Sequence, residues 1–286
     1  MYNMNSNEKQ ELEILACKAR IYALEGIFNA KSGHPGGSLS AADIYTYLYY
    51  KVLNVDPQNP QMENRDRFVL SKGHCCPSLY AVLALKGFFP IEELPKLRKV
   101  GAMLQGHPDM KSTPGIDMSS GSLGQGISAA CGMALAGKMD KKDYRVFTLL
   151  GDGECEEGQV WEALMFAAHQ KLDNLCAIID CNGLQIDGTV EEVGGLEPLD
   201  KKLEAFGFEV FKMDGHDFDS IEAAVNGVLS STSGKPCAII AKTVKGKGVS
   251  YMENKVNWHG AAPNAEQYEV GRKELLAQLE SLGGVL

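Results

Sequence analysis

Between residues 144 and 243 the chain repeats one pattern: a short unbroken apolar run, a polar turn, then apolar residues at helical spacing. The runs are Tyr144–Leu150, Leu175–Asp180, Glu209–Met213 and Cys237–Thr243, and helices are expected over Glu156–Gln170 and Asp217–Ser230. A strand with one face in water alternates apolar and polar residues; these runs are largely continuous apolar stretches, so both faces are expected to be covered. Such strands joined by helices make an α/β fold, a parallel sheet with helices on both faces. Phe68-Val69-Leu70 reads as a further short buried strand, followed by a helix over Ser78–Lys86. Upstream, Leu12, Leu15, Ala16, Ala19, Tyr22, Ala23 and Ile27 predict a helix over Ser6–Lys31 that Ser32-Gly33 stops. Ser40 with Asp43 reads as a capping box opening a helix to about Leu53. Leu123–Met139 reads as a Gly- and Ala-rich helix with a close neighbour, and an amphipathic helix is expected near Ala265–Leu282. No linker interrupts the pattern, so residues 1–286 are expected to form one domain.

Composition narrows the function. With 28 Lys+Arg against 37 Asp+Glu, net charge −9, the chain lacks the basic stripe that nucleic-acid binding requires. The polar, mixed-charge start is neither a secretory signal nor a transit peptide, and the longest apolar runs, such as Leu79–Leu85, are too short to span a bilayer. Eight cysteines (17, 75, 76, 131, 155, 176, 181 and 237) show no CxxC or zinc spacing. They read as reduced core residues of a cytoplasmic protein with no membrane or nucleic-acid partner.

One apolar strand ends in Gly151-Asp152-Gly153 and the next in Asp180-Cys181-Asn182. In a parallel sheet both end on one edge, and neighbours there lie ~5 Å apart, at the edge where open α/β sheets bind ligands. Asp152 and Asn182 would then converge, with a backbone carbonyl near Leu184 as a third hard oxygen suited to Mg²⁺. Gly151 and Gly153 would let a diphosphate approach the backbone. The competing reading is an ordinary strand-to-helix turn with Asp152 as a helix cap. Glu154, Glu156 and Glu157 read equally well as first-turn acids that offset a helix dipole.

Five of six histidines adjoin glycine: His34, His74, His107, His216 and His259. Loops at strand ends are where sites are built, and histidine suits phosphate contacts, proton transfer and bonds to sugar hydroxyls. His216, in Asp214-Gly215-His216-Asp217, is expected on the surface in a turn, and His169 near a helix end. Gly121–Gly126 is a close-approach loop and not a GxGxxG fingerprint. Lys245-Gly246-Lys247-Gly248 reads equally as a phosphate contact or as a solvated basic turn.

Ser32-Gly33-His34-Pro35-Gly36-Gly37, Leu70-Ser71-Lys72-Gly73-His74, Gly106-His107-Pro108, Gly121–Gly126 and Trp258-His259-Gly260 follow the signature order of transketolases, which the chain resembles along nearly its whole length. The stretch from Gly151-Asp152-Gly153 to Asn182 is similar to the thiamin-diphosphate motif. The resemblance implies a thiamin-diphosphate-binding fold in which Asp152, Asn182 and the Leu184 carbonyl bind Mg²⁺, or Ca²⁺ in its place. It implies that His74 and Gly153, with Gly151 beside them, contact the diphosphate, while Gly121, Ser122 and Leu123 line the cofactor rings. Many relatives have proline where Ser122 stands. His34, His107 and His259 would face the sugar, with His259 also reaching the diphosphate, and Glu157 would lie at a subunit interface linking paired sites. The family's pyrimidine-binding and C-terminal domains are not expected in 286 residues. A separate C-terminal transketolase subunit is therefore the expected partner, in an α₂β₂ assembly that moves a two-carbon ketol unit from a ketose to an aldose, with or without phosphate. A fragment of another thiamin-diphosphate enzyme, such as 1-deoxyxylulose-5-phosphate synthase, and a non-catalytic diphosphate-binding module are the alternatives.

Overall fold

A computed structural model describes residues 3–286. Five apolar segments form strands: β1 (Arg67–Leu70), β2 (Val146–Gly151), β3 (Leu175–Cys181), β4 (Glu209–Asp214) and β5 (Cys237–Lys242). They pair in the order β1-β2-β3-β5-β4, every pair parallel. Alternate residues on each strand enter different apolar clusters. Phe68, Leu70, Phe147, Leu149, Ile178 and Ile239 pack with α1 (Ser6–Ala30), α3 (Ala42–Tyr47), α4 (Cys76–Lys86) and α9 (Phe218–Ser230). Val69, Val146, Leu150, Ile179 and Ala238 pack on the other face with α5 (Gln125–Met139), α6 (Gly158–His169), the short α7 (Val190–Val193) and α8 (Leu199–Ala205). This division is why the central strands carry apolar residues at successive positions, while the edge strand β4 keeps Lys212 and Asp214 exposed. Burying a Phe or Leu side chain contributes roughly 1.5–3 kcal/mol, and Phe147 and Leu149 are wholly enclosed. The last helix, α10 (Ala265–Ser281), joins a third cluster with Cys17, Ile21 and Leu24 of α1.

Several local expectations are corrected. Helix α1 stops one residue early because Lys31 adopts the left-handed conformation (φ 54°) as its C-cap. Ser40 and Asp43 form no capping box. Ser40 ends the short α2 (Pro35–Ser40) and bonds Asp180, while Asp43 forms a buried ion pair with Arg20. Burial works against the charge on Asp43, but Arg20 and His216 outweigh it and hold its pKa far below the usual carboxylate range. His216 is likewise no surface residue: its Nδ1 lies 2.7 Å from Asp43 Oδ2, and Nε2 accepts the Val244 N–H at 2.8 Å. The helix expected from Glu156 starts at Gly158, after a 3₁₀ turn at Gly153–Glu156 that faces the site. The cysteines are free, and all but the half-buried Cys181 are buried. Among the described residues no helix is long and apolar enough to cross a membrane.

Candidate active site

Strands β2 and β3 are neighbours in register, Gly151 opposite Asp180. Their loops therefore leave the sheet side by side at its carboxyl edge, and the segments after β1 and β5 join them. A cavity of about 220 Å³ opens there, lined by Gly37, Lys72, His74, Leu123, Gly151, Asp152, Asn182, Leu184, Lys245 and His259 among others. Residues up to 222 positions apart in the chain thus share one space, as they must to hold one ligand.

Asp152 is buried, and its two oxygens accept the Gly153 N–H at 2.9 Å and the Gly183 N–H at 2.6 Å. Burial, reinforced by the nearby Asp180 carboxylate, raises its pKa to about 6. A carboxylate so placed gains from a cation beside it. Asn182 Oδ1 accepts the Leu184 N–H at 3.2 Å, and the Leu184 carbonyl accepts from Lys245 Nζ at 3.1 Å. Carboxylate, amide oxygen and carbonyl are hard donors of the kind Mg²⁺ and Ca²⁺ take. Among the described residues no group of three or more His, Cys, Asp or Glu side chains gathers for a metal. Asp152 alone brings a formal charge to this donor set. The Gly153 N–H, expected at a diphosphate, is directed to Asp152, and a methyl on Gly153 would press Gln185 at 3.0 Å. Gly151 keeps its space, since a methyl there would meet nothing nearer than Lys72 at 3.6 Å.

The cavity floor is cationic, which sequence reasoning largely missed. Lys72 is buried and paired with Asp180, which also accepts from Ser40 and Thr243. Burial opposes both charges, yet their attraction prevails, raising the Lys72 pKa and lowering that of Asp180. An ionisable residue ending an otherwise apolar buried strand was the available signal, because it must find a partner inside. Lys245 is also buried, which settles the choice between a solvated turn and an inward-facing cation. It contacts the Leu184 carbonyl and His259 Nδ1 (3.0 Å) and makes no ion pair among the described residues. Burial lowers its pKa. A buried ammonium without a carboxylate partner, beside an open cavity, suits an anionic group such as a diphosphate.

Glu154, read as a helix acid, is instead a buried tie. Its carboxylate accepts from Ser71 Oγ, the Gly124 N–H and the Gly151 N–H, joining three of the loops around the cavity. Ser122 and Leu123 are exposed beside it, and so is Glu157.

The four glycine-flanked histidines of the remaining motifs come together. The His34 ring lies 5.0 Å from His74, 6.2 Å from His107 and 5.6 Å from His259, centroid to centroid. His74 and His259 are 5.2 Å apart. Burial, then Arg98 and His107, lowers the His34 pKa to about 4; burial, then Lys245, does the same for His259. Burial places His74 well below its ordinary value, and burial with Arg98 lowers His107. All four rings are neutral at pH 7, each offering one donor and one acceptor. Gly121 (φ 156°) is needed here, since a methyl would meet the His107 ring at 3.2 Å. His169 and His216 lie outside the cluster.

Comparisons with known proteins identify the family. Residues 12–279 match the family described as "Transketolase, thiamine diphosphate binding domain". The chain is 47% identical to a 6-deoxy-6-sulfo-D-fructose transketolase subunit of Clostridium sp. (strain MSTE9), covering 97% of this chain and 99% of that one. It is 45% identical to an apulose-4-phosphate transketolase subunit of Phocaeicola vulgatus, covering 96% of each. It is 41% identical to human transketolase but spans only 46% of that protein. The crystal structure of Campylobacter jejuni transketolase superposes on 98% of the chain with a TM-score of 0.88 and 33% identity, again over 46% of the larger chain.

Proposed function

The chain belongs to the transketolase family, within its thiamine-diphosphate-binding domain, and from this premise we propose that it is the diphosphate-binding subunit of a two-chain transketolase. The observation that carries the reading is the single cavity in which Asp152, Asn182 and the Leu184 carbonyl meet Lys245, His74 and His259. Asp152, Asn182 and Leu184 would hold Mg²⁺ or Ca²⁺, while Lys245 and His74 would contact the diphosphate. When bound, thiamin diphosphate supplies the electron sink for the bond broken in the ketose. The chain's part is to bind and to move protons. His34, His107 and His259, neutral and with His34 within about 6 Å of each of the other two, would hydrogen-bond the sugar's hydroxyls and carbonyl and exchange protons with them.

Two features support a separate partner. Relatives that match end to end are named as subunits, and the single-chain human enzyme is more than twice as long as the part matched here. The partner would supply the pyrimidine-binding domain. The donor class is a ketose with an anionic far end, as the names of the two subunit relatives suggest, one a sulfonated hexulose and one a pentulose phosphate.

The test mixes the chain with a C-terminal transketolase subunit from the same organism, thiamin diphosphate and Mg²⁺, and follows ketol transfer from sulfonated and phosphorylated ketoses. The mixture is expected to turn over, and the chain alone is not. Asp152→Ala should abolish metal-dependent cofactor binding measured by calorimetry on the mixture; unchanged affinity would refute the metal assignment.

A further inference from the structure

Arg98 does not line the cavity, yet its geometry is unusual. It is a non-glycine residue in the left-handed region (φ 59°), a conformation uncommon for residues that carry a Cβ. Its backbone N–H donates to the Leu104 carbonyl at 2.8 Å, closing the loop that runs back toward Gly106. The side chain then spans two other segments. Nη1 donates to Ser32 Oγ at 3.1 Å, and Nη2 donates to the Gly106 carbonyl at 3.2 Å. The guanidinium lies directly against Gly106, where a methyl would come within 2.6 Å of Cζ. Nε is buried without a hydrogen-bond partner.

Ser32 is two residues before His34, and Gly106 immediately precedes His107. The guanidinium therefore joins the two loops that bring these rings to 6.2 Å. Arginine suits this task because its planar fork presents several donors in fixed directions, whereas lysine offers one point charge.

Resting on the transketolase reading, we propose that Arg98 is a positioning residue for ketol transfer: it sets the spacing of His34 and His107 and turns its charge toward both rings. The electrostatic half of the role follows from position. His34 faces Arg98, Lys245 and the rings of His74, His107 and His259, and His107 faces Arg98 and His34. Asp109, the nearest acid in sequence, is engaged by Ser112 and Ser119. The titratable groups facing these two rings are thus cations or other histidines, and Arg98 is shared by both.

Two substitutions separate the roles in the reconstituted two-chain enzyme. Arg98→Lys keeps the charge but cannot hold Ser32 and Gly106 together; Arg98→Met removes both functions. Both should lower kcat/KM for the ketose by about ten- to a hundredfold, as small misplacements of catalytic groups do, with the cofactor Kd within about twofold of wild type. In Arg98→Met the acid limb of kcat/KM should also move to higher pH, together with the His34 and His107 titrations followed by NMR on the full chain. In Arg98→Lys those titrations should stay in place. Should Arg98→Met not fold, Ser32→Ala, which removes one bond and no charge, must still lower kcat/KM without moving the titrations. Wild-type kcat/KM in Arg98→Lys, or unmoved titrations in Arg98→Met, would overturn the proposal. Absence of ketol transfer in the wild-type pair, with the titrations shifted as expected, would instead overturn the functional reading alone.

Discussion

A histidine held neutral can both give and accept a hydrogen bond, and the four in this cluster are held neutral first by burial and then by the cations and rings beside them. The consequence for pH has a definite sign. His34 has a pKa of about 4 in the fold against an ordinary 6.5, so as pH falls through 6.5 the unfolded chain takes up the proton first. Stability is fully present above 6.5 and is lost on acidification toward 4. Replacing His34 with Asn should therefore flatten the dependence of Tm on pH between 6.5 and 4.5; an unchanged slope would show that this ring does not carry the effect. The histidines were conspicuous in the sequence because glycine adjoined each of them. Lys72, Asp180 and Glu154 were not, because a buried charge reveals itself only through the partner that satisfies it: Lys72 and Asp180 pair across 108 positions, and Glu154 reaches Ser71 across 83.

The elements place these side chains, and close packing between them is what fixes the site's dimensions. Helix α5 runs beside β1 because Gly126 has no side chain: a methyl there would meet Ser71 Cα at 2.5 Å. The Ser71 backbone cannot yield without dragging Lys72 and His74 with it. Gly126→Ala is therefore expected to cost about 1–3 kcal/mol, the usual range for overpacking, read as a lower urea midpoint with unchanged m-value. It should also weaken cofactor binding by the two-chain enzyme, because the loop after β1 would shift. The Gly- and Ala-rich helix was legible as a close-packing element, although the sequence could not say what it packs against. Helix starts and stops were less legible. Lys31 ends α1 in a conformation most often left to glycine, and Glu154 turns inward through a 3₁₀ turn that periodicity does not distinguish from the helix following it.

For the whole molecule, the matched relatives divide into subunits of this length and single chains more than twice the matched length. An α₂β₂ assembly is expected: mass measurement on the mixed subunits should give twice this chain's 31.0 kDa plus two copies of the partner. A stable one-to-one pair would rule out the paired sites that Glu157 is proposed to link. The sequence by itself determined the sheet and its two covered faces, since central strands buried on both sides need apolar residues at successive positions rather than at alternate ones. It also singled out most of the loops that meet at the cavity, through their Gly-His and Gly-Asp-Gly turns, although the Gly215-His216 turn serves packing instead. Only the tertiary structure decided the rest: the Lys72–Asp180 pair beneath the cavity, Lys245 turned inward, His216 tied to Asp43 and Arg98 bridging two histidine loops. Each of these is a charged or polar contact between segments distant in the chain, and hydrophobic periodicity records which residues are buried but not which polar groups meet there.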